Sequence, residues 1–202
     1  MKWPVLSLFH AGLGILLLVP VASAFAADPG MVDQLSVTLD HLQKIHQQEA
    51  GGDELYISVT EFSANEKPRF YQIPAFPSHW NSKNLHDIQQ VVLWKKPLKM
   101  CEKTTVVFSL VEEDMRPWDS DDLIGSVQLN VTCDGQHIKT QWTVPNTSNT
   151  TVLHDKSTGF AFKGSGAQYN AYMNVLTNKI PLKNVIESNT PRIQIRERIT
   201  FP

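Results

Sequence analysis

Three stretches of the chain alternate apolar and polar residues with a period of two, and that alternation commits them to strands. In 104–111, Val106, Phe108 and Leu110 share one face. In 123–132, Val127, Leu129 and Val131 point one way, and Ser126, Gln128, Asn130 and Thr132 the other. In 137–144, Ile138, Trp142 and Val144 fall inward. A face that repeats every second residue fits a sheet with one side buried, not a helix. Further strand candidates follow from β-branched and aromatic content: 55–59, 91–94 (ended by Pro97), 160–162, 169–176 and 192–200. The stretch 36–45 is ambiguous: alternation begins and then slips, so a helix with Leu35, Leu39 and Leu42 on one face competes with a strand. Residues 63–87 hold Pro68, Pro74 and Pro77 and read as a long, partly ordered excursion. Seven to nine short strands joined by turn residues predict an all-β fold, an antiparallel β-sandwich of about eight strands.

The N-terminus reads as a leader rather than as part of that fold. Lys2 gives a short positive start, residues 13–19 are apolar but for Gly14, and Ala22-Ser23-Ala24 and Ala24-Phe25-Ala26 both suit a signal peptidase. The expected division is a signal peptide over 1–26 and one domain over 27–202, in a secreted or periplasmic protein. The style of the leader is bacterial, so the sequons at Asn130, Asn146 and Asn149 are read as ordinary polar residues. Export places Cys101 and Cys133 in an oxidising compartment. Pairing 104–111 with 123–132 as a hairpin sets Cys101 opposite residue 135, within two residues of Cys133. The expected disulfide closes a loop of about thirty residues, on the order of 3 kcal/mol of stabilisation.

The hairpin between those strands carries the chemistry. Residues 112–122 contain six carboxylates, Glu112, Glu113, Asp114, Asp119, Asp121 and Asp122, against a single cation, Arg116. Crowded like charges raise one another's pKa unless a positive partner arrives. A hard divalent ion such as calcium, which takes six to eight oxygens, is the natural partner; a solvated turn is the plain alternative. The loop lacks the glycine and distal glutamate spacing of an EF-hand.

The run Leu110-Val111-Glu112-Glu113-Asp114, followed by Asp121-Asp122-Leu123-Ile124-Gly125, resembles the third calcium loop of the C2 domain family. A second likeness lies at Leu35-Ser36-Val37-Thr38-Leu39 and Gly51-Gly52-Asp53-Glu54-Leu55-Tyr56-Ile57-Ser58-Val59, which is similar to that family's opening strand and first calcium loop. The resemblance spans residues 35–132 and implies a strand at 35–45. It implies an eight-stranded sandwich whose loops at one end bind calcium and often lipid or protein. Carried over by position, Asp53, Glu112, Asp114 and Asp122 match ligands, with Asp119 and Asp121 nearby. The pattern departs from the family where Glu112 replaces an Asp and Glu54 a Pro. The earlier acid of the first loop is also missing, with Gln47 or Glu49 the nearest substitute. Met115, Arg116, Pro117 and Trp118 stand between the two carboxylate groups, and the resemblance implies a tip of this kind contacting an anionic phospholipid membrane or a protein partner.

Other chemistries find little footing. A net charge of -2 excludes a general nucleic-acid binder. The histidines are scattered, with no nucleophile elbow and no phosphate loop; residues 159–166 are glycine-rich but lack that spacing. From residue 160 onward six cations face only Glu187 and Glu197, a basic balance to the acidic loop. The reading is therefore a calcium-binding module rather than an enzyme, with a calcium-independent adhesion or interaction domain as the first alternative and an enzyme whose site is not visible in the sequence as the second.

Overall fold

The computed structural model describes residues 30–64, 66–98, 102–114, 120–134, 137–153 and 158–189. They form two antiparallel sheets packed face to face. One sheet runs β5 (Val91–Leu98), β1 (Met31–His46), β11 (Ala167–Pro181), β10 (Gly159–Gly164) and β9 (Thr150–Val152). The other runs β3 (Arg69–Ile73), β2 (Glu54–Ser63), β6 (Thr104–Glu112), β7 (Asp122–Asp134) and β8 (His137–Thr143), with β4 (Trp80–Asn81) on the flank of β2. The expected antiparallel β-sandwich is thus the observed fold, with more strands than the eight expected.

The alternating faces close the core. Val106, Phe108 and Leu110 of β6 are fully buried, as are Val127, Leu129 and Val131 of β7. Leu55, Ile57 and Val59 of β2 continue that layer. Across the sandwich they meet Leu35, Val37 and Leu39 of β1, Phe160 and Phe162 of β10, and Tyr169 and Met173 of β11. Ile138 and Trp142 of β8 pack against this cluster as half-buried residues.

The ambiguity at 36–45 has a physical origin. In β1, Leu39 faces Met173 but His41 faces Tyr172, so Asp40 is an extra residue in the ladder. A bulge advances the side-chain phase by one. The buried positions pass from Leu39 to Leu42, a spacing that imitates a helical turn.

Several elements differ from expectation. Pro97 lies inside β5, not beyond it, which an edge strand tolerates because one side of its ladder needs no donor. The proline-rich excursion contains β3 and β4 and a 3-10 turn at Leu85–Asp87. β9 lies in what reads as a polar loop: Thr150 is buried, and its hydroxyl accepts the Ser126 amide at 3.0 Å. An α-helix, α1 (Leu182–Asn189), follows β11. The leader 1–26, Cys101 and the strand expected at 192–200 lie outside the described residues. Among the described residues no helix is long and apolar enough to cross a membrane.

Gly125, the last residue of the acid-to-glycine run, is fixed by packing. A Cβ there would stand 2.7 Å from the Phe162 ring and 2.8 Å from Thr150 Oγ1. Gly125→Ala is expected to destabilise the fold by about 1–3 kcal/mol through overpacking. A thermal melt checks this, with Tm lowered by several degrees.

Candidate cation site at one pole of the sandwich

β2 opens where β6 ends, since Leu55 pairs with Glu112. Loop 47–53 and the described ends of the β6–β7 connection, 113–114 and 120–121, therefore lie at the same pole of the sandwich. The β6–β7 register, Thr104 opposite Val131, shifts between Leu110 and Val111 and brings Glu112 opposite Asp122. Glu112 itself keeps the inward phase of Val106, Phe108 and Leu110, and its side chain is almost wholly buried at this pole.

One carboxylate oxygen each from Glu49, Glu112 and Asp114 lies within 4.8 Å of the others. Glu112 Oε2 is buried and has no hydrogen-bond partner. Burial pushes the Glu112 carboxyl up to about 8, and the negative charges of Asp114, Glu49, Asp53 and Asp122 add to the rise. A buried, unpartnered carboxylate oxygen is costly, and among the described residues no donor relieves it.

Asp53 also shapes the loop. Its carboxylate accepts the amides of Gln48 at 3.1 Å and Glu49 at 2.8 Å, and the Tyr169 hydroxyl. Burial and the hydrogen bond to Asp53 push the Tyr169 phenol well above its ordinary value. The Asp53 amide donates to Ser82 Oγ at 2.9 Å, and its carbonyl accepts the Ser82 amide at 2.9 Å. Asp53 therefore ties loop 47–53 to β11 and to the segment after β4, and so sets Glu49 beside Glu112. Gly52, at φ 94°, makes the turn into Asp53 possible.

Of the acids singled out in the sequence, the structure gathers Glu112 and Asp114 with Glu49, the substitute acid of the first loop, and places Asp122 beside Glu112. Asp121 stands apart and accepts the Tyr56 hydroxyl at 2.8 Å. Asp119, Met115, Arg116, Pro117 and Trp118 lie outside the described residues.

Sequence reasoning missed His79. It stands between Glu54, Nε2 to Oε1 3.6 Å, and Glu113, Nδ1 to Oε2 3.7 Å. Nothing in the local sequence signals this, because residues 54, 79 and 113 meet only through the pairing of β2 with β4 and β6.

The donor set at the cluster is oxygen alone. That suits a hard cation such as calcium or magnesium and lacks the nitrogen and sulfur ligands a structural zinc site takes. The class defined by fold and site is an antiparallel β-sandwich with a carboxylate-lined pole. No protein-family model matches the chain, and no curated protein sequence matches it significantly.

The raised Glu112 carboxyl sets a pH dependence in metal-free protein. Its folded value, about 8, exceeds the ordinary 4.5, so between these values the folded state holds a proton the unfolded chain has lost. The stabilisation is fully present below about 4.5 and is lost as pH rises through about 8. Melts in EDTA across this window should show Tm falling with pH, and Glu112→Gln should flatten that slope.

Proposed function

We propose that the protein is an exported, C2-like binding module that takes a divalent cation, calcium first, at this acidic pole. The observation that carries the reading is Glu112: a buried carboxylate oxygen without a hydrogen-bond donor, ringed by Glu49, Asp53, Asp114 and Asp122. A bound cation supplies the missing positive charge and lets Glu112 ionise at neutral pH. Glu49, Glu112 and Asp114 would hold it, with Asp122 adjacent, and main-chain carbonyls and water would complete the shell that calcium requires. The sandwich, and the approach of Glu49 in loop 47–53 to Glu112 and Asp114 at one pole, support the likeness to the C2 family.

The cation recruits, in this reading, rather than reacts; no catalytic group is assigned. Neutralised acids at the pole let the intervening segment, with Met115, Arg116 and Trp118, approach an anionic phospholipid membrane or an acidic face of a protein partner. The leader over 1–26 places the module in the periplasm or outside the cell. Cys101 and Cys133 form its disulfide. The β6–β7 register supports this pairing, as does the absence of a free cysteine among the described residues.

A thermal melt tests the cation. Calcium at a hundredfold excess over Kd should add about 2.7 kcal/mol to the folded state. The shift should grow between pH 6 and 8 as the Glu112 proton is displaced, and should vanish in the Glu112→Gln, Asp114→Asn double variant. An unchanged melt in millimolar calcium overturns the cation reading and leaves a calcium-independent interaction domain.

The disulfide is tested by thiol titration of the unreduced, denatured mature protein. No reactive thiol is expected; two per chain would refute the bridge.

A further inference from the structure

We propose that the cleft formed at the β10–β11 turn is an oxyanion site that takes a phosphate group. The glycine-rich run 159–166 lacks the spacing of a phosphate loop, yet the structure gives it an anion-binding geometry of another kind. Ser165 and Gly166 form the two-residue turn between β10 and β11, at φ 48° and 79°. Both are left-handed, the pattern of a type I′ hairpin. The ladder closes with Gly164 opposite Ala167, so the Ser165 and Gly166 amides lie outside it. Successive main-chain amides in a turn make a concavity for anions.

Side chains complete the cleft, which has a volume of about 460 Å³. His46 of β1 faces Gln168 of β11, and Gln168 faces Lys163 of β10. The three form a cross-strand row on the outer face of the sheet, because their neighbours Phe162 and Tyr169 are buried in the core. Ser165 and Ser148 border the row. Ser148 Oγ already donates to Asn146 Oδ1 at 2.7 Å, so Lys163, Ser165 and the turn amides supply the main donors. Among the described residues the Lys163 and His46 side chains have no hydrogen bond and no ion pair. Among the described residues no carboxylate lines the cleft. One ammonium, an imidazole, an amide, a hydroxyl and two main-chain N–H groups, from three strands and their turn, line one cleft and offer donors enough for the several oxygens of a phosphate.

The turn is held firmly enough to keep that shape. A Cβ on Gly164 would meet the carbonyl oxygens of Ile124 at 2.6 Å and Leu123 at 2.7 Å. The glycine is thus required for β10 to lie against the start of β7.

The proposal does not rest on the cation reading, and the experiment keeps them apart. Amide NMR spectra of the mature protein are recorded in EDTA while potassium phosphate is added against potassium chloride of equal ionic strength. Saturable shifts are expected at Ser165, Gly166 and Gln168. Lys163→Gln should weaken binding about tenfold, the loss of one charge-assisted contact, while Asp114→Asn should leave it intact. Shifts that do not saturate, or that persist unchanged in Lys163→Gln, overturn the proposal. Phosphatidylcholine vesicles with and without phosphatidic acid then identify the source. Competition at the same amides by the acidic vesicles points to a lipid headgroup, and response to free phosphate alone points to a soluble ester; either result requires the oxyanion site.

Discussion

The β6–β7 ladder is the constraint on which the rest of the molecule depends. Side chains on a strand repeat every second residue, so a one-residue slip would turn Val106, Phe108 and Leu110 out into water. The apolar rows of the two strands therefore hold a single register, with Thr104 opposite Val131. The one irregularity, between Leu110 and Val111, falls at the far end and brings Glu112 opposite Asp122. The core pays for this arrangement: an apolar ladder with a large burial gain carries a carboxylate into a place it would not occupy alone.

The two poles of the sandwich treat buried acids in opposite ways. Glu61, near the far end of β2, is as buried as Glu112. Burial works to raise it, but hydrogen bonds from Lys96 Nζ at 2.9 Å and Trp94 Nε1 at 3.0 Å, with the charges of Lys96 and Arg69, hold it below its ordinary value. Trp94 and Lys96 belong to β5 of the other sheet, so this acid ties the two layers together. Glu112 has acids for neighbours instead of cations. The same residue type under the same burial is held low at one pole and pushed up at the other, because among the described residues Glu61 has cations beside it and Glu112 has carboxylates.

Loop anchoring explains why the acidic pole has a defined shape. Asp53 spends its carboxylate on the amides of Gln48 and Glu49 and on the Tyr169 hydroxyl, and its main chain on Ser82. An acid that matches a ligand position in the sequence thus acts as a clamp, and Glu49, which it positions, faces Glu112. Position in a motif indicates which loops converge; the hydrogen bonds decide which oxygens are left over.

The sequence by itself determined the strands that carry period-two alternation, 104–111, 123–132 despite the bulge at Ile124, and 137–144, which ends one residue early at Thr143, together with the sandwich they imply and the placement of a carboxylate-rich run between two of them. Period-two burial is a local property, written residue by residue, and needs no partner to be read. Tertiary structure decided what depends on partners. The bulge at Asp40, the proline admitted to edge strand β5, and the pairing of β9 with β10 follow from which strand lies alongside. So does the meeting of Glu49 with Glu112 across more than sixty residues of chain, of His79 with Glu54 and Glu113, and of His46 with Lys163 through Gln168. No local pattern encodes these encounters, because each is fixed by the registers of strands distant in sequence.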